Sequence, residues 1–138
     1  MIDFNYILVS LTRQLRNFVK QKTVDSPLTF EQIRALSYIL RFEGLSQKEL
    51  AELLENKTMA TSKLIDTLES SAFVDRVKNI NDKRSYKLYL TESGKKEAEK
   101  ILELSHSVFQ IITKDIDKDE IASFYNTMKK IQQNLQQL

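Results

Sequence analysis

Cysteine is absent from this chain, and with it disulfide bonds, thiolate nucleophiles and cysteine-based metal sites. Histidine occurs once, at His106, which has no second histidine to share a metal with and reads as a surface or interface residue, so no metal is expected. The two glycines, Gly44 and Gly94, are too few for a Gly-rich phosphate loop or a nucleophile elbow, and neither an enzyme nor a cofactor is expected. Asp115, Asp117, Asp119 and Glu120 lack the central glycine of a calcium loop and read better as a helix cap. No apolar run approaches the ~20 residues of a membrane span, and no basic patch with an apolar core opens the chain. A cytoplasmic protein without a membrane partner is the simplest expectation.

What remains is 138 residues with a net charge of +2, enough for one domain that buries its core without staples. The charge is unevenly spread. Between Arg76 and Lys87 stand Arg76, Lys78, Lys83, Arg84 and Lys87 against the single acid Asp82, whereas acids outnumber bases from Leu28 to Glu55. A local basic stripe on a near-neutral protein is the footprint of a groove binder. A solubilising hairpin accounts for any one of these residues more easily than for all five.

Helix-start signals recur with regular spacing. Thr29 with Gln32, Ser46 with Glu49 and Asp117 with Glu120 each pair a capping residue with a partner three positions on, and flanking apolar residues supply the staple. Gly44 suits the C-terminal cap of the helix that starts at Thr29, and Pro27 separates that helix from the N-terminal one. A short helix from Ser46 to about Leu54 is followed by a second, for which Asn56 is the expected N-cap. In that second helix Thr61, Leu64, Ile65 and Leu68 share an inner face, leaving Thr58, Met59, Ser62, Lys63 and Asp66 outward. Two helices around a tight turn with a polar, basic outer face form a helix-turn-helix pattern.

The strands follow at once. Phe73–Lys78 and Tyr86–Leu90 flank the polar turn from Asn79 to Ser85, and Tyr86, Leu88 and Leu90 alternate with Lys87 and Tyr89. Thr91 caps a long helix reaching about Lys114, with Ala98, Ile101, Leu102, Ser105, Val108 and Ile112 on its inner face. Near the chain ends, Phe4, Leu8, Leu11, Leu15 and Phe18, and likewise Ile121, Phe124, Met128, Ile131, Leu135 and Leu138, keep alternating spacings of three and four. Such seams ask for helical partners, within one subunit or across a two-fold axis, and a homodimer is the favoured reading. The predicted fold class is mainly α with a small β-hairpin: a winged helix-turn-helix with terminal dimerisation helices. The winged helix-turn-helix spans about 28–90 and the dimerisation helices about 1–22 and 92–138, within one domain of 1–138.

With these pieces in order, the chain resembles the MarR (multiple-antibiotic-resistance regulator) family over essentially its whole length. The matching stretches are Leu28-Thr29 with Gln32 and Leu36, Leu45 to Ala51, Lys63 to Glu69, Val74-Asp75-Arg76, Asp82-Lys83-Arg84, and Leu90 to Gly94. The resemblance implies a homodimeric DNA-binding transcriptional regulator, expected to act as a repressor on a pseudo-palindromic double-stranded operator. By position, Ser62 and Lys63 fall where the family's recognition helix commonly carries Thr and Arg. Arg84 falls where the wing-tip arginine enters the minor groove, and Asp82 matches the aspartate that helps hold the wing arginines.

These assignments agree with the chemistry. Thr58, Ser62 and Lys63, together with Lys57 and Met59 at the same helix start, are expected at base edges or phosphates in a major groove. Arg84 suits the negative potential of a narrow minor groove. Lys78, Lys83 and Lys87 suit phosphates, and the capped start at Ser46 offers backbone N–H groups to another. Each has a plainer alternative: Ser62 as a tolerated surface residue, Lys63 as a solvated lysine. Many family members release DNA when a small aromatic or phenolic ligand binds, and Tyr38, Arg41, Phe18 and His106 are candidates for such a cleft, each equally suited to core or surface. The chain departs from the family at Ala72, where a glycine is usual before the first wing strand, so that turn is expected to avoid positive φ. Thr61 replaces a usual small apolar residue, and the missing cysteine excludes thiol-based peroxide sensing. The alternative in a different class is a winged-helix dimer that binds proteins as an adaptor or antirepressor, for which Arg84 and Lys63 would be dispensable.

Overall fold

The computed structural model describes residues 2–138, without the side chain of Ile2. Six helices and one hairpin follow in the order α1 (Ile2–Lys22), α2 (Phe30–Arg41), α3 (Gln47–Leu54), α4 (Thr58–Ser70), β1 (Val74–Lys78), β2 (Tyr86–Leu90), α5 (Glu92–Ile112) and α6 (Lys118–Gln136). The chain forms two compact units, one ending at Glu103 and the other comprising Leu104–Leu138.

Local chemistry sets the helix starts. Thr29, Ser46 and Asp117 each form a complete capping box, the side chain accepting from a backbone N–H of the first turn while Gln32, Glu49 or Glu120 returns the bond to the cap's own N–H. Thr91 caps α5 by accepting the Gly94 N–H at 2.9 Å. The expected cap at Asn56 is not formed. Lys57 occupies the N-cap of α4 without a side-chain bond, because α3 runs on through Glu55 in the left-handed conformation (φ 56°). This leaves the Asn56 N–H bonded to the Ala51 carbonyl and its amide facing Glu31. Gly44 likewise lies two residues beyond the C-cap of α2, Phe42; its φ of +76° serves the turn that sends the Gly44 N–H to the Leu88 carbonyl.

Ala72 overturns the expectation that its turn avoids positive φ. Its φ is +58°, and it closes α4 in a Schellman arrangement: Ala72 N–H donates to Glu69 O and Phe73 N–H to Leu68 O. The two bonds satisfy carbonyls that the helix end would otherwise leave open, which offsets the cost of about 1–2 kcal/mol of a left-handed alanine.

The core lies within the first unit. Leu36, Ile39, Leu50, Leu54, Ile65, Leu68, Val74 and Leu88 are nearly inaccessible to solvent, drawn from α2, α3, α4 and both strands, with Ile101 of α5 packed against them. Each such side chain contributes about 1.5–3 kcal/mol of apolar burial. Thr61 is also fully buried, on the inner face of α4, with no hydrogen-bond partner for its Oγ1. The strands pair antiparallel, with Val74 opposite Leu90 and Lys78 opposite Tyr86. The α2–α3 loop adds itself to the outer side of β2, Leu88 N–H donating to Leu45 O at 2.9 Å. Only the base of β2 follows the predicted alternation: Leu88 is buried, whereas Tyr86 stands towards the tip and is exposed.

The terminal helices are different. In α1, Phe4, Tyr6, Ile7, Val9 and Leu11 are exposed, and α6 buries no residue, with Phe124 and Leu135 more than half exposed. On α5, Ala98 and Val108 are buried as expected, but Leu102, Ser105 and Ile112 are exposed.

Candidate nucleic-acid interface

The outward face of α4 is exposed where the sequence placed it. Thr58, Met59 and Lys63 lie open to solvent, Ser62 is half-buried, and Lys57 stands exposed just before the helix. α4 differs from α2, α3 and α6 in having no capping side chain and no acid in its first turn. Its leading N–H groups are therefore left to solvent or to an anion, which is the chemistry of a phosphate site at a helix start. The start of α3 is more occupied than expected. Glu49 Oε2 accepts the Ser46 N–H at 2.6 Å and Ser46 Oγ accepts the Glu49 N–H, leaving only the Gln47 and Lys48 amides of that end for another partner.

At the tip of the hairpin the backbone closes on itself. Asn79 N–H donates to Ser85 O at 3.0 Å, and Asp82 accepts from three groups: the Arg84 N–H on its side chain, and the Ser85 N–H and hydroxyl on its carbonyl. Asp82 thus supports Arg84 through the main chain of the turn, with no ion pair to the guanidinium among the described residues. Lys78, Lys83 and Arg84 are exposed and Lys87 is half-buried. None of the ion pairs among the described residues engages them, nor Lys57 or Lys63. Their charges are free for an external anion. Ile80 stands beside them at the tip, 96% exposed.

Arg76 parts company with the other wing cations. Only 15% of its side chain is exposed. It donates to Asp66 Oδ1 at 2.5 Å, to the Ser62 carbonyl at 3.0 Å and to Gln47 Oε1 at 3.2 Å, and Glu69 lies 3.6 Å away. It joins α3, α4 and β1 and is unavailable to DNA as a direct contact. Its place in a run of five cations counted it into the basic stripe; only its partners at 7 to 29 residues' separation reveal the role.

Gly94 is a second residue whose role the sequence did not disclose. A Cβ there would fall 1.9 Å from the Phe73 carbonyl oxygen, so α5 can approach the α4–β1 turn only through a glycine. Thr91 completes the junction, its hydroxyl donating to Ala72 O at 2.5 Å and its N–H to Phe73 O at 3.1 Å. An open cavity of about 580 Å³ lies elsewhere, lined by Phe42, Glu43, Gly44, Leu45, Glu49, Glu52 and Leu53. Of the effector candidates, Tyr38 packs against the core and none of Tyr38, Arg41, Phe18 and His106 lines this cavity.

Comparison with known proteins adds to this geometry. A family model described as the MarR family matches residues 28–86, from the start of α2 into β2. The HTH-type transcriptional regulator SarR of Staphylococcus aureus is 28% identical over 97 residues, covering 69% of this chain and 84% of its own length. A MarR transcriptional regulator from Methanosarcina mazei Go1 superposes with a TM-score of 0.85 at 21% identity, covering 99% of both chains. The S. aureus MepR–DNA complex superposes with a TM-score of 0.75 at 22% identity, covering 96% of this chain and 97% of that one.

Proposed function

We propose that the chain is a member of the MarR family of DNA-binding winged helix-turn-helix transcriptional regulators, whose model it matches over residues 28–86, and that it works as a homodimeric repressor of a small set of promoters. The observation that carries this reading is the set of unpaired cations on two adjoining elements, Lys57 and Lys63 along α4 and Lys78, Lys83 and Arg84 on the hairpin. In this reading the outward face of α4, with Thr58, Met59, Ser62 and Lys63, lies in a major groove, its uncapped start against a phosphate. Arg84 enters the adjacent minor groove from a turn held by Asp82. Lys78, Lys83 and Lys87 neutralise phosphates, as do the remaining amides beyond Ser46. MepR, which shares this fold, was solved in complex with DNA, which supports DNA as the partner.

Two copies are needed for a two-fold site. The exposed apolar residues of α1, and separately those of α6, offer surfaces to a second chain, and in this reading 1–138 is one MarR-type domain with terminal dimerisation helices. Half-site centres should then lie roughly 10 base pairs apart. The test is selection of bound duplexes from genomic DNA together with sedimentation of the free protein. An inverted repeat and twice the chain mass are expected. A protein that sediments as a monomer would overturn the homodimer, and a dimer that enriches no sequence over input would overturn the reading in favour of the protein-binding adaptor. Repeating the selection with small aromatic or phenolic acids reads out ligand release directly.

A further inference from the structure

We infer that Arg76 sets DNA affinity without touching DNA, by cancelling the acidic end of the α4 face that is presented to the duplex. The inference rests on the DNA-binding reading above. Along α4 the outward stripe runs Met59, Ser62, Lys63, Asp66 and Glu69, at helical spacings of three and four. Its first half is polar and basic; its second half ends in two carboxylates whose side chains are 59% and 44% exposed. Left alone, Asp66 and Glu69 would face the phosphates beside the groove that Ser62 and Lys63 occupy, and like charges across an interface oppose binding.

Arg76 reaches them from β1. Its Nη1 is 2.5 Å from Asp66 Oδ1 and 3.6 Å from Glu69 Oε1, while Nη2 donates to the Ser62 carbonyl and Nε to Gln47. These four partners fix the guanidinium between the carboxylates, so one buried cation offsets two acids at short range, where screening by salt is weakest. An exposed pair would contribute little; the multidentate seating and low exposure are what make this one effective. Arg76 is therefore a positioning and neutralising residue, distinct from Arg84 and the free lysines.

The experiment measures binding of a selected operator duplex by fluorescence anisotropy at several salt concentrations, with thermal melting in parallel. Arg76→Gln should weaken binding about tenfold at 0.1 M salt. Adding Asp66→Asn and Glu69→Gln to Arg76→Gln should restore most of that loss, because the acids that needed cancelling are gone. The Asp66→Asn/Glu69→Gln double variant, with Arg76 retained, should bind more tightly than wild type and show a steeper salt dependence. A triple variant as weak as Arg76→Gln, or a double variant that binds less tightly than wild type with an unchanged salt slope, would overturn the inference and leave Arg76 a purely structural residue. Wild-type protein that binds no duplex would overturn the DNA-binding reading itself.

Discussion

Arg76 and Arg84 stand eight residues apart on one hairpin and carry the same side chain, yet their surroundings have little in common. Arg76, near the hairpin's base, has four protein partners and little exposure. Arg84, at the tip, is exposed, and only its backbone N–H is bonded, to Asp82. The division extends to their neighbours. At the base, Val74 and Leu88 are buried, and Ala72, Phe73, Thr91 and Gly94 interlock through backbone and hydroxyl bonds. At the tip Ile80 is almost wholly exposed, and the turn satisfies its polar groups internally. A hairpin of two strands is marginal by itself. Here its base is stabilised by the helical core, so the tip can be specialised for something outside the protein.

Substitutions test this division, beginning with the greatest effect. Leu88→Ala should empty a fully buried site at the base and cost about 2–5 kcal/mol of stability, measured by urea denaturation. A loss under about 0.5 kcal/mol would mean that the base is no better packed than the tip. Gly94→Ala should cost about 1–3 kcal/mol despite alanine's better helix propensity, since the Phe73 carbonyl must move to admit the methyl group. Unchanged thermal melting for this variant would contradict the close approach of α5. Arg84→Ala should do the reverse, leaving the melting temperature within error while weakening operator binding by about 1–3 kcal/mol. A gel-shift midpoint equal to that of wild type would remove Arg84 from the minor groove. Smallest of all, Ala72→Gly should raise stability by up to about 1 kcal/mol, because glycine meets the φ of +58° without steric cost. A destabilised Ala72→Gly would show that the alanine methyl group contributes more than its conformation costs.

The same contrast explains how much could be read before the fold was known. Capping pairs three residues apart, the alternation in β2 and the seam spacings are local codes, and the three capping boxes stand at the residues proposed for them. The exposed cations at the tip were equally legible, because no distant group competes for them. Arg76 was counted with them, since the carboxylates and amide that enclose it lie 7 to 29 residues away in sequence. Asn56 was the better cap by composition, but the left-handed Glu55 extended the preceding turn and shifted the cap by one residue to Lys57. At Ala72 residue preference argued for negative φ, while the two Schellman hydrogen bonds decided otherwise. Leu102 and Ile112 of α5 matched an inner-face spacing, yet both are exposed.

The junction around Gly94 has a mechanical consequence. Thr91 and Phe73 bind the end of α4, the root of β2 and the first turn of α5 into one joint with no slack at the glycine. A twist applied to α5 within the first unit, between Glu92 and Glu103, is not absorbed at that helix's start. It is delivered as torque to the end of α4 and to the hairpin root together, so the start of α5 turns both as one piece.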